Sequence, residues 1–535
     1  MVFFAAKEGP PIPTTDLSSW IFDNPEYDQD EPLYIDAKNP TRSLSLNQMR
    51  TTVRQLVAGL QAAGMKKGDC VCIHSFNDIY YSAIFHGIVG TGGIFAGTNP
   101  SYTQYELVHH IKTAKAKFLI VEPEIAKNAL TAAEECNLPR SNIWIFDVGG
   151  QPLPSGHKSW KDLLKHGEAE FERFDDEETA KNTTAARMFS SGTTGLPKAA
   201  VLTHYNFAAQ HQLSSGLSTK DWRETAHISV PKAGQISIVM RRFDLEEFLA
   251  CIEKFEINEL GIVPPIAIAI IMTPLNQKYS LKSVKDVAIG AAPLGRESQQ
   301  RLKNLLAPGA RVTQVWGMTE MTCVASMFNW PDDDDTGSVG RILPHCDAKI
   351  IDDSGNDISA YDTLGELCIR GPIVTPGYFE NELANSTSFD TSSFFHTGDI
   401  VYCASSSQKW YIVDRAKELI KVRGFQVAPP EIENTLLSHP DIIDAAVIGV
   451  KDVQDEDVEH PRAYVVRRPG AQGESLDEKA VKAWSGERLA RYKEITGGVR
   501  FVSGIPKNAS GKILKRLLRE EAKKERDAER ATAKL

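Results

Sequence analysis

Strand-length apolar runs alternate with longer segments of helical period along this chain, and no other feature restricts its fold as much. Residues 70–75 (CVCIHS), 118–121 (FLIV) and 143–146 (IWIF) are short and apolar, whereas residues 46–63 repeat their apolar positions at helical spacing. A chain that alternates in this way buries its strands in parallel sheets covered by helices, which places it in the α/β class. At 535 residues it also exceeds what one hydrophobic core organises, so two or more domains are expected. Beyond Trp330 the texture changes to an acidic PDDDD loop and then to short, glycine-punctuated strands at 348–351 and 365–370. The aspartates read as a solvated loop, because neighbours in sequence cannot all aim at one ion.

Composition removes several classes of function. The formal net charge is -10 and the lysines and arginines are scattered, which argues against a nucleic-acid partner. Eight cysteines occur without a CxxC pair, so Cys70 and Cys72 read as reduced core residues rather than zinc ligands or part of a disulfide framework. No charged-then-apolar leader is visible, so export is not expected. The longest apolar run, 260–272 (LGIVPPIAIAIIM), is too short to cross a bilayer and is interrupted by Pro264 and Pro265, so no transmembrane segment is expected.

Chemistry is concentrated at residues 190–198, SSGTTGLPK. Such a segment offers a polyphosphate backbone amides, hydroxyls and one cation, and no hydrophobic core requires it. It is not a Walker A loop, because Lys198 follows Gly195-Leu196-Pro197 instead of closing a GxxxxGK sequence. A flexible turn between two buried strands is the alternative reading of the same residues.

Further motifs follow in order: VWGMTE at 315–320, HTGDI at 396–400, VDRAKELIKVRGFQVAPPEIE at 413–433 and PKNASGKILKR at 506–516. Together they resemble the adenylate-forming superfamily over essentially the whole chain, and within it the 4-coumarate-CoA ligase-like and fungal acyl-CoA ligase branch. The resemblance implies an α/β fold. A large amino-terminal AMP-binding domain (1–416), made of two parallel-sheet subdomains and a small β-barrel, would precede a small mobile α+β domain (417–535). It implies an ATP-dependent acyl- or aryl-CoA ligase whose partners are a small carboxylic acid, ATP, Mg2+ and CoA. A carboxylate is a poor acyl donor, so it would first attack the α-phosphate of ATP, release pyrophosphate, and then pass from AMP to the CoA thiol.

The resemblance also implies roles by position. Ser190, Ser191, Gly192, Thr193, Thr194, Gly195 and Lys198 are expected to hold the β and γ phosphates. Thr319 would donate to the α-phosphate and Glu320 would reach magnesium directly or through water, the alternative being a helix-capping pair. Gly290, Ala291 and Ala292 match the adenine side, with Trp316 and Gly317 at the stacking position. Asp399 and Arg415 match the ribose-holding pair, although Asp399 also reads as a plain turn residue after glycine. Lys512 matches a lysine that bridges the reacting carboxylate and α-phosphate, and Gln426 a second contact of that arrangement. Lys421, Arg423 and Gly424 match the face presented to CoA after the second domain turns about a hinge at Lys417.

Two departures weaken the acid-binding side. Between HISVP (227–231) and QISIVM (235–240) only a few residues remain, where the family carries a crossover helix lining the acyl pocket. A parallel crossover needs a dozen residues or more, so a local hairpin or a lost strand is expected. Val315 stands where many aryl-CoA ligases have glycine, and its isopropyl group would fill part of the pocket floor. An enzyme loading a separate carrier protein, or a catalytically impaired relative, therefore remain alternatives to a CoA ligase. Finally, Ala533, Lys534 and Leu535 resemble a peroxisomal import tripeptide, which would make the import receptor a partner and the peroxisome the compartment, with the cytoplasm as the alternative. The sequence gives no oligomeric state.

Overall fold

A computed structural model describes residues 2–190, 197–215, 232, 234–415, 418–422, 425–451, 459–508 and 511–532. The strand-length runs assemble into a seven-stranded sheet ordered Lys158–Ser159, Ile143–Ile145, Ala116–Val121, Cys70–His74, Ile94–Gly97, Thr184–Ser190 and Lys198–Thr203. Neighbours run parallel except the last pair, which is antiparallel with Ser190 opposite Lys198. Cys70–His74 lies in the middle and is buried at every position, as a strand covered on both faces must be. Helix Leu46–Ala62 starts at a reciprocal capping box between Ser45 and Gln48 and buries Met49, Val53, Leu56 and Leu60 along one stripe.

A second sheet of three parallel strands, Glu259–Ile262, Asp286–Ile289 and Arg311–Gln314, forms its own core. The apolar run at 260–272 divides between the first of these strands and helix Pro264–Met272. The two prolines open that helix rather than break it, since their missing N–H groups fall where no intrahelical partner exists. HISVP lies outside the described residues. Its neighbour QISIVM yields the strand Ser237–Val239, which runs parallel to Pro32–Asp36 and so belongs to a small separate sheet.

After Trp330 the chain forms a four-stranded antiparallel sheet in sequence order: Asp347–Ile351, Gly365–Arg370, Phe395–Cys403 and Trp410–Arg415. The acidic loop before it is more than a solvated run. Asp332, Asp333, Asp334 and Asp335 pair separately with Arg341, Lys303, Lys409 and Arg296, so each charge takes a different cation. The carboxyl-terminal part is α+β: strands Ile442–Lys451, Glu459–Arg467 and Val499–Phe501 carry helices Pro429–Leu437, Glu478–Gly486 and Lys515–Thr532. All eight cysteines are free, and most are buried. Among the described residues no helix is long and apolar enough to cross a membrane.

The second sheet holds a buried ion pair at its start. Arg311 Nε and Nη2 meet Asp286 Oδ1 and Oδ2 at 2.6 and 2.9 Å across adjacent strands, and Arg311 Nη1 also donates to the carbonyls of Asn329 and Asp332 at 3.0 Å. Removing one partner strands the other charge in the interior. Arg311→Ala should therefore cost about 3–5 kcal/mol, read as an earlier first transition in chemical denaturation, and a loss below about 1 kcal/mol would show that water replaces the guanidinium.

Candidate active site

Arg311–Gln314 ends just before Val315 and Trp316, and the chain then folds back on itself. Trp316 accepts a backbone bond from Ala325 at 2.8 Å and donates to Ser326 at 3.1 Å, closing a loop around the 3-10 turn Thr319–Met321. Gly317 makes that closure possible: a Cβ there would sit 1.7 Å from the carbonyl oxygen of Cys323. The loop thus fixes the indole. Its Nε1 donates to Asp399 Oδ2 at 2.8 Å, while Asp399 Oδ1 lies 3.3 Å from Arg415 Nε.

Asp399 and Arg415 face each other in the ladder of strands Phe395–Cys403 and Trp410–Arg415. Burial raises the pKa of Asp399, against the pull of Arg415, the indole and Lys512. Lys512 enters from the carboxyl-terminal part on a loop tied by three bonds of 2.9 Å, Asn508 N to Lys512 O, Gly511 N to Asn508 O and Lys512 N to Asn508 Oδ1. Gly511 sits at φ 79°, the left-handed region, and seats the loop on Val263 and Pro265. Burial and then Arg415 lower the pKa of Lys512, opposed by Asp399, Glu418 and Glu320. Between these elements lies a cavity of about 960 Å³, lined by Ala291, Ala292, Trp316, Gly317, Asp399, Arg415 and Lys512 together with Pro197, Ile268 and Val315.

None of the remaining expected residues that are described lines this cavity. Glu320 is buried beside this cavity rather than in its wall; Tyr378 Oη donates to its Oε1 at 2.7 Å, and its Oε2 has no hydrogen-bond partner among the described residues. Thr319 lies in the same turn, half-buried. Ser190 and Lys198 are the paired ends of two strands, and the Lys198 amine sits 5.1 Å from the centre of the Tyr378 ring. Gly290 also stays out of the lining, with Val315 Cγ2 3.1 Å from where its Cβ would be. Lys421 is exposed on the hairpin Ile420–Val422/Phe425–Val427, opposite Gln426 in the ladder and away from the cavity. Ser191, Gly192, Thr193, Thr194, Gly195, Lys417, Arg423, Gly424, Ala533, Lys534 and Leu535 lie outside the described residues.

Sequence reasoning missed three supports. His109 and His110, on helix Gln104–Ala114, brace both roots of the 190–198 segment. His109 Nε2 donates to the Pro197 carbonyl at 2.8 Å, and the His110 ring stacks on Phe189 with centroids 3.7 Å apart. Burial pushes His110 down to about 3, so it stacks as a neutral ring. Tyr378 is the third. The HH pair inside a helical segment was the only visible signal, and nothing local tied Tyr378 to Glu320.

With that geometry in place, comparison with known proteins identifies the class. Residues 22–379 match the AMP-binding enzyme family and residues 431–512 the AMP-binding enzyme C-terminal domain. The chain belongs to the AMP-binding enzyme family. It is 50% identical to the phenylacetyl-CoA ligase epaB of Aspergillus niger, over 97% of this chain and 98% of that protein. It is also 50% identical to the acyl-CoA ligase azaF of Aspergillus niger, over 97% and 100%. Both alignments run over 536 positions, more than the portion of this chain in them, so these relatives carry residues this chain lacks. Its fold is that of ATP-bound MatB from Rhodopseudomonas palustris, with TM-score 0.81 and 24% identity over 95% of this chain and 98% of that one. The anthranilate CoA ligase AuaEII in complex with anthranoyl-AMP matches with TM-score 0.84 and 22% identity over 96% and 98%. This chain is an AMP-forming acid-thiol ligase that joins a carboxylic acid to CoA at the expense of ATP.

One further group in the cavity wall titrates in an accessible range. Burial raises Asp414 from 3.8 to about 6, against the attraction of Lys515, whose amine lies 3.0 Å from Glu433. Below pH 3.8 folded and unfolded chains both hold this proton; between 3.8 and 6 the unfolded chain releases it first, so stability falls as pH rises and the full cost is present above 6. Asp414→Asn should keep the neutral shape and gain on the order of 1–3 kcal/mol over the wild type above that window, with no gain below it. Denaturation midpoints measured across the window give the comparison, and curves that stay parallel would exclude a buried carboxylate as the cause.

Proposed function

We propose that the 960 Å³ cavity is where an arylacetic or similar compact aryl acid is adenylated, and that the observation carrying this is the entry of Lys512 beside Asp399, Arg415 and Trp316. The substrate class is supported by the name of the phenylacetyl-CoA ligase relative and by Val315, which narrows the floor beside Gly290. Trp316 offers a flat face for the adenine and Asp399 a carboxylate for the ribose hydroxyls. The 190–198 segment and Lys198 hold the β and γ phosphates. Lys512, with Arg415 behind it, offsets the charge that builds as a carboxylate oxygen attacks the α-phosphorus and the bond to pyrophosphate breaks. The buried, unpartnered Oε2 of Glu320 suits a hard cation, and Mg2+ held there and by ATP would supply Lewis-acid neutralisation of the phosphate oxygens.

The boundary we propose lies between residues 416 and 417, with the carboxyl-terminal domain turning about Lys417. In the arrangement described, Lys512 lies in the cavity and Lys421 lies exposed outside it, which supports separate stages for the two lysines. After the turn, Lys421, Arg423 and Gly424 would face the approaching thiol, which attacks the acyl carbonyl as the bond to AMP breaks. Lys512→Ala should suppress phenylacetate-dependent ATP–pyrophosphate exchange about a hundredfold or more while synthetic phenylacetyl-AMP is still converted to the thioester. Equal loss in both half-reactions would refute the division, and exchange with fatty acids but no aryl acid would refute the substrate class.

The tail Ala533-Lys534-Leu535 supports a peroxisomal address, read by the import receptor, and with it a place in secondary metabolism like that of a specialised ligase. A fluorescent protein fused ahead of Met1 should give punctate signal that becomes diffuse when the three residues are removed. Puncta that survive the truncation would show that another segment carries the address.

A further inference from the structure

A second cleft, of about 490 Å³, opens beside the main cavity and shares Met272 and Thr273 with it. Two guanidinium groups converge there from opposite sides. Arg301, in the last turn of helix Arg296–Lys303, brings Nη2 to 3.2 Å from Met272 Sδ; Arg468, just past strand Glu459–Arg467, brings Nη2 to 3.4 Å from the same sulfur. A thioether is a weak acceptor and leaves both charges uncompensated. Among the described residues no carboxylate forms an ion pair with either arginine, and Arg468 Nε is buried without a hydrogen-bond partner. The carbonyls at the nearby helix end do not serve them either, since Asn276 Nδ2 occupies those of Ile270 and Ile271 at 2.8 and 3.3 Å. In a chain of net charge -10, where most arginines find a carboxylate, two half-buried cations held together without one need an anion from outside.

We propose that this cleft is a phosphoryl-binding site in which Arg301 and Arg468 grip one dianionic phosphate group by their forked N–H donors. Because one arginine comes from the sheet-and-helix part that holds Trp316 and the other from the part that carries Lys512, an occupant bridges the two and holds Lys512 in the cavity; this second half rests on the domain reading proposed above. Two sources share the chemistry: free phosphate or pyrophosphate, and the phosphorylated nucleotide head of CoA, which would be held here before the turn and released from one of the two arginines as the thiol reaches the cavity. The test is calorimetric titration of the full chain with inorganic phosphate, pyrophosphate and adenosine 3′,5′-bisphosphate, with ATP present and no acid, so that the ATP site is filled and nothing turns over. Arg301→Gln and Arg468→Gln should each weaken binding about tenfold or more, and affinity should fall with salt. Tighter binding of the bisphosphate than of phosphate assigns the site to the CoA head, and equal or weaker binding assigns it to the free anion. No binding by the wild type, or unchanged affinity in both arginine variants, overturns the site. Loss in only one of them overturns the bridge. Because the readout is binding without turnover, failure of the adenylation reading would leave these outcomes standing.

Discussion

The carboxylate of Asp399 is the interaction on which the rest of the site depends. It is buried, and a buried charge is tolerated only when other groups satisfy it. Three do so from three parts of the chain: the indole N–H of Trp316, the guanidinium of Arg415, and the field of Lys512. Removing any one raises the cost of the others. The loop that Gly317 allows to close, the ladder that sets Arg415 opposite Asp399, and the seating of Gly511 on Val263 and Pro265 each bring one of these partners to the same point. A nucleotide would meet a pocket whose polar groups are already oriented, which is where electrostatic catalysis gains most.

The carboxyl-terminal part meets this centre through charge as well as through the apolar seat of Gly511 on Val263 and Pro265. Lys515 bridges Glu433 within that part and feels Asp414 at the end of the preceding strand, while Arg519 pairs with Glu418. Burial alone would lower the pKa of Lys515, but Glu433 and Asp414 raise it on balance. Of these contacts, the attraction between Lys515 and Asp414 is the one that crosses the boundary proposed between residues 416 and 417, since Glu418, Glu433 and Arg519 lie on the same side as Lys515.

Much of this was legible in the sequence because it is local. Strand and helix periods act within a few residues. The motif order carried the family and hence the convergence of Trp316, Asp399, Arg415 and Lys512, which no local rule would have produced. What escaped was tertiary. The cations that meet Asp332 to Asp335 come from three places in the chain, helix Arg296–Lys303, Arg341 and Lys409, so a run of acids looked like solvent-facing loop. His109 braces a segment far along the chain, and Tyr378 reaches Glu320 only because residues 377–379 dock along strand Lys198–Thr203, through bonds such as Phe379 N to Ala199 O at 2.8 Å.

The topology around 190–198 bears on why, in the function proposed, a cation comes from the second part. In a strand-to-helix phosphate loop, the helix N-terminus presents aligned N–H groups and a positive dipole end to the phosphates. Here Ser190 and Lys198 are opposite one another in an antiparallel pair, so the segment between them leads into another strand, and the next helix begins only at His204. Backbone dipoles from a helix end are therefore not aimed at the site from this element. The cavity lining has Arg415 from the amino-terminal part and Lys512 from the carboxyl-terminal part, while Lys198 stands outside the lining with its amine 5.1 Å from the centre of the Tyr378 ring. On the function proposed, a half-reaction that concentrates charge at the α-phosphorus would have Lys512 in place only while the carboxyl-terminal part is docked. Under the same proposal, moving that part away would withdraw Lys512 without dismantling the pocket that Asp399 organises.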